Sequence, residues 1–113
     1  MYQAANQGYL PAILVMMKLY QQGLGVQKSA RTALVWQKKA ADLGHAASQY
    51  QMGMADLQKQ NYSHAYKWIK LAALQGFKAA LAELQSLNHT LSPQMQQRGN
   101  RLVSHWFNQR RHP

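Results

Sequence analysis

The side chains that could carry acid–base chemistry are few. Three carboxylates, Asp42, Asp56 and Glu83, stand in 113 residues, scattered along the chain. Nothing in their spacing brings two of them together. The five histidines show no ligand pattern: His45 and His64 fall in different segments, and His105 and His112 are seven positions apart near the end. No His-Glu-x-x-His and no nucleophile elbow occurs. The pair Gly23-x-Gly25 lies between two helical patterns and lacks the lysine that follows a phosphate-cradling loop. With no cysteine, thiolate catalysis, thiolate zinc sites and disulfides are excluded. The expectation is a protein that is not an enzyme and needs neither metal nor cofactor.

What remains is positive charge. Thirteen Lys and Arg oppose the three acids, for a formal charge of +10. That excess favours acidic partners: nucleic acid, anionic lipid or an acidic protein surface. Which one depends on where the fold puts the cations.

The positioning elements follow from a repeat. Ala4-Ala5-Asn6-Gln7-Gly8, Ala40-Ala41-Asp42-Leu43-Gly44 and Ala72-Ala73-Leu74-Gln75-Gly76 share a pattern, with glycines 36 and then 32 residues apart. A period of that size marks stacked supersecondary units, and the glycine stands where a left-handed helix C-cap would. Residues 1–8 read as the end of a truncated unit, 9–44 as unit one, 45–76 as a shortened unit two, 77–91 as a partial unit three and 92–113 as a capping helix and tail. In unit one the spacing predicts a helix over 10–22, a break at Gly23–Val26, then an N-cap at Ser29 opening a helix to about Leu43. Ala33, Trp36, Ala40 and Ala41 share a face of that second helix, leaving Lys28, Arg31, Lys38 and Lys39 largely off it. Unit two repeats this, with a helix over 45–58, Asn61 as N-cap, and Ala65, Trp68, Ala72 and Ala73 at an offset of 32. A helix over 77–87 opens unit three. Ser92-Pro93 starts the last helix, to about Gln109, with Met95, Leu102, Val103, Trp106 and Phe107 on its apolar face.

Tyr20-x-x-Gly23-x-Gly25-Val26, followed by Ala33-x-x-Trp36-x-x-Lys39-Ala40-Ala41-x-x-Gly44-His45-Ala46, resembles one complete Sel-one-like repeat, a relative of the tetratricopeptide repeat. Unit two resembles a shortened copy, and the likeness covers about residues 1–88. The chain departs from the family pattern where Ser29 and Asn61 replace an acid, and where Met17 and Gln85 replace a glycine. The resemblance implies an all-α fold, a right-handed superhelix of stacked antiparallel helix pairs, closed here by a C-terminal capping helix. It also implies a scaffold for partner proteins; bacterial relatives include regulators, envelope-assembly factors, host-interaction proteins and immunity proteins that neutralise toxins.

In such an array the first helices line the concave side. Counting around them puts Leu14, Lys18 and Gln21 there in unit one, Tyr50, Met54 and Leu57 in unit two, and Ala82 and Ser86 in unit three. Tyr, Met and Leu with one Lys suit a peptide or protein segment, an acidic one by charge, with Tyr50 and Met54 as exposed anchors. The alternative is a convex basic stripe of Arg31, Lys38, Lys67, Lys70, Arg98 and Arg101 that binds nucleic acid. Against it, Trp36 and Trp68 fall on the packing face and offer no platform for bases. A homodimer closing the incomplete first unit is a third expectation. The apolar run Tyr9–Met17 is too short to cross a bilayer and no signal peptide opens the chain, which favours a cytoplasmic protein. A periplasmic or secreted one stays open if residues precede Met1.

Overall fold

Three corners of this protein are built from the same two hydrogen bonds. Tyr9, His45 and Phe77 each donate a backbone N–H to the first alanine of the preceding pair (Ala4, Ala40, Ala72; 3.0, 3.0 and 3.2 Å), and Gly8, Gly44 and Gly76 donate to the second (Ala5, Ala41, Ala73; 3.0, 3.0 and 2.9 Å). This is the Schellman closure, which needs a left-handed residue at its centre. Gly44 and Gly76 supply it at φ +97° and +83°. The turn after the first helix of unit two makes the same closure without glycine: Gln60 takes φ +64° and Asn61 N donates to Asp56 O at 2.8 Å. A side chain there costs about 1–2 kcal/mol, borne by the turn that replaces the longer glycine loop of unit one.

The computed structural model describes residues 2–111, so His112 lies outside the described residues. Seven helices make up the described chain, with no strand among its residues: α1 (Tyr2–Asn6), α2 (Leu10–Gln22), α3 (Ala30–Asp42), α4 (Ala46–Gln58), α5 (Tyr62–Leu74), α6 (Lys78–Thr90) and α7 (Pro93–Arg111). Ser29 Oγ accepts from Thr32 N at 3.1 Å and Ser92 Oγ from Met95 N at 3.3 Å, so both serines cap as expected. Asn61 does not: its side chain makes no cap bond. The backbone of α5 starts from the strained Gln60 turn, and Asn61 at φ −87°, ψ 71° is not in the extended conformation of an N-cap. His45 caps α4 instead, Nδ1 accepting from Ser48 N at 3.3 Å. α6 also runs past the expected end at Leu87, carrying Asn88-His89-Thr90 as helix.

From α1 to α6 each helix packs on the next. α7 breaks the order and lies along α5. The whole measures 46 × 33 × 21 Å. Trp36 is buried with Ala5, Ala12, Ile13 and Met16; Trp68 is buried with Ala41, Leu71 and Val103. Each indole therefore shares its cluster with the second alanine of the preceding pair, and removing either ring costs about 3–5 kcal/mol. A third cluster joins Tyr66, Ile69, Ala72, Ala73, Ala80 and Leu87 of α5 and α6.

Two glycines set how closely helices approach. A Cβ on Gly53 would stand 2.5 Å from Ile69 Cγ1 and 3.2 Å from the Ala65 carbonyl oxygen, so α4 and α5 meet nearly backbone to backbone. A Cβ on Gly99 would stand 2.5 Å from Tyr66 Cδ1, because α7 rests on the Tyr66 ring. The buried face of α7 thus runs through Gly99 and Val103, while Phe107, expected on it, is 44% exposed. Among the described residues no helix is long and apolar enough to cross a membrane.

Candidate protein-binding groove

The residues expected on the concave side do not form one groove. Lys18 and Gln21 are exposed on α2, and Leu14 is half-buried against the Trp36 cluster. Ala82 and Ser86 are exposed on α6. Tyr50 and Met54, expected as exposed anchors, are half-buried and pack with Leu57 against the α5–α6 cluster. The cause is Gly53, which draws α4 onto α5, and Phe77, whose ring stands 5.4 Å from that of Tyr50. Leu57 and Ser86 do come together, lining one shallow cleft with Tyr62 and Glu83.

The basic stripe divides. Lys67 is half-buried with its ammonium 4.0 Å from the Trp68 ring centroid. Burial lowers its pKa; Asp42 and Asp56 oppose that shift, and Lys38 and Arg110 add to it. Lys70 donates to Asn100 of α7. Their neighbours on the stripe end up apart: Arg98 and Arg101 line a cleft beside Tyr62, Ser63 and His64, whereas Arg31 and Lys38 border a groove between α3 and α4. Cations also sit over every indole: Lys39 over Trp36 at 4.5 Å and Arg110 over Trp106 at 3.9 Å complete the set. Trp36 and Trp68 are nevertheless 6% and 3% exposed, which leaves no open face on which a base could stack.

The α3–α4 groove encloses about 600 Å³. Leu34 and Val35, 51% and 53% exposed, form its wall with Met52 and Ala55 of α4. Arg31, Lys38, Lys39 and Lys59 surround this apolar strip. The groove also gathers Asp42 and Asp56, two carboxylates that their spacing leaves apart. Asp42 is engaged at its oxygen by Lys38 (3.1 Å), an exposed pair worth well under 1 kcal/mol. Sequence reasoning missed Leu34 and Val35; the available signal was two adjacent aliphatic residues off the Ala-Trp face of α3.

Chemically this arrangement offers surface. Its apolar strip can bury aliphatic or aromatic side chains, and the surrounding cations favour carboxylates on whatever lies there. Among the described residues no three His, Asp or Glu side chains gather as a metal site requires. No protein-family model matches this chain, and no curated protein matches it.

Proposed function

We propose that this protein is a non-enzymatic binding module, a short α-solenoid of the Sel-one-like kind that holds an acidic protein partner. The observation that carries this reading is the α3–α4 groove, where exposed Leu34 and Val35 lie among four cations and two carboxylates. The solenoid part draws support from the three identical corners and from the second alanine of the preceding pair, which shares a buried cluster with each of Trp36 and Trp68. Units that repeat a corner and a ring contact present repeated faces, and a face left uncovered is available to a partner. The partner site moves from the concave residues to the groove because Tyr50, Met54 and Leu57 are committed to the core.

The test is reconstitution. A partner captured from the source cell and purified should bind the intact protein, more weakly as salt rises. Lys38→Glu with Lys59→Glu should weaken that binding at least tenfold. Titration with duplex and single-stranded nucleic acid at two salt concentrations decides the competing reading. Tight, salt-dependent nucleic-acid binding lost in Arg98→Glu/Arg101→Glu, with no protein bound, overturns the proposal in favour of the basic surface. Sedimentation of the intact chain tests the homodimer: a concentration-dependent dimer broken by changes in α1 would replace an outside partner with a second copy.

A further inference from the structure

We infer that the occupant of the α3–α4 groove is an acidic amphipathic helix of another protein, lying on α3 as α7 lies on α5. This rests on the binding-module reading and specifies its partner.

The inference comes from register. Shifted by 32 residues, Leu34, Lys38 and Lys39 of α3 become Tyr66, Lys70 and Leu71 of α5, and Asp56 and Lys59 become Asn88 and Leu91. In the second unit α7 covers the α5 positions, while Asn88 stays exposed and meets α7 only through its backbone carbonyl. Gly99 rests on the Tyr66 ring, Asn100 accepts from Lys70, and Val103 is buried with Leu71. Gln96 Nε2 donates to the carbonyls of Asn88 (3.2 Å) and Leu91 (3.0 Å), which fixes the start of α7 at the end of α6. In the first unit the α3 positions are open: Leu34, Lys38 and Lys39 are exposed, as is Lys59 of α4, while Asp56 is half-buried. The protein therefore contains one filled and one empty copy of a helix seat.

Charge selects what fills the empty one. Where α7 meets Tyr66, Leu71 and Leu91, an incoming helix would meet Leu34, Lys39 and Lys59, with Arg31 and Lys38 beside them; Asp42, paired with Lys38, and Asp56 also line the groove, so its cations outnumber its carboxylates by four to two. α7 itself carries Arg98, Arg101, Arg110 and Arg111 and no acid. A second copy's α7 docked in the same way would bring Arg98 and Arg101 toward Arg31, the counterpart of Ser63, so the seat disfavours self-association and favours glutamate or aspartate on the partner helix. Leu34 also lacks the ring that obliges α7 to carry glycine, so alanine or a larger residue is accepted there.

A synthetic peptide can stand in for the partner. The probe is residues 93–111 with all four arginines replaced by glutamate and with Gly99→Ala, labelled for fluorescence anisotropy and titrated with the intact protein. Saturable binding is expected, weakened at least tenfold by Leu34→Asp, by Lys38→Glu/Lys59→Glu, and by a proline in the centre of the probe. The arginine-bearing peptide of native sequence should bind at least tenfold more weakly than the acidic one. Equal binding of the proline-containing probe, or indifference to Leu34→Asp, overturns the helix seat. So does no binding of the probe at low salt. If a purified natural partner still binds Leu34→Asp unchanged, the seat is wrong and the binding-module reading survives; if no acidic protein binds the wild type, that reading falls itself.

Discussion

Replacing Gly99 with alanine places a methyl carbon 2.5 Å from Cδ1, 2.9 Å from Cβ and 3.0 Å from Cγ of Tyr66. Two of those atoms lie at the root of the side chain, so rotating the ring does not remove the clash. Either Tyr66 leaves its place, breaking its hydroxyl bond to Asn88 (2.9 Å), or α7 lifts from α5 and exposes Val103. Overpacking of this kind costs about 1–3 kcal/mol, while exchanging glycine for alanine inside a helix returns about 1 kcal/mol. A net loss of about 0–2 kcal/mol follows, each 1 kcal/mol of which lowers the melting temperature by roughly 4–8 °C in a chain of about this size. Urea denaturation followed by circular dichroism measures it, with exposed Ser104→Ala in the same helix as the propensity control. Tyr66→Leu combined with Gly99→Ala should recover about 1 kcal/mol relative to the sum of the single changes, the sign of a relieved contact. If Gly99→Ala stabilises by the full propensity gain, as at a solvent-facing glycine, α7 does not rest on Tyr66. The internal precedent for a docked helix would then be lost as well.

Three further outcomes follow from the same packing. Gly53→Ala should destabilise by about 0–2 kcal/mol once the helix-propensity gain is subtracted from the overpacking cost, since its Cβ meets Ile69 and the Ala65 carbonyl, and Ile69→Val should relieve part of that cost in denaturant titrations. Ser29→Ala should cost about 1 kcal/mol whereas Asn61→Ala should be near neutral, because the serine caps and the asparagine does not; equal losses would contradict the cap geometry. Burial raises the Tyr66 phenol above its ordinary pKa near 10, against a weaker lowering by Asn100. Its contribution is fully present below pH 10 and is lost as pH rises through the elevated value. Unfolding free energies at pH 9 and pH 11 should therefore fall less in Tyr66→Phe than in the wild type, and that variant should lose about 1 kcal/mol at neutral pH with the Asn88 bond.

The candidate surface was legible only in part. The sequence puts Arg31 and Lys38 on a face of α3 away from the core, and the groove uses them there. It also ranks Tyr50 and Met54 as exposed, which fails because helical spacing gives direction around an axis and says nothing of how near the next axis comes. Gly53 and Phe77 close that distance. Lys67 and Lys70 look like equivalents of Val35 and Lys38 until α7 covers their neighbours and draws Lys70 to Asn100.

What the residues determined alone are the local events: Ala-Ala-x-x-Gly corners, the cap at Ser29, the helix start at Ser92-Pro93 and the buried indoles. Each depends on backbone conformation or hydrogen bonds within about six residues, or on apolar periodicity along one helix, and these are properties a short segment carries with it. The tertiary structure decided that α7 leaves α6 for α5. That choice depends on one glycine meeting one tyrosine 33 positions away, together with the volume around them, and no local pattern encodes such a fit. Lying along α5, α7 meets α3 only at its C-terminal end, where Val103 joins the Ala41 cluster and Arg110 donates to the Asp42 carbonyl, and it leaves Leu34 and Val35 of α3 exposed.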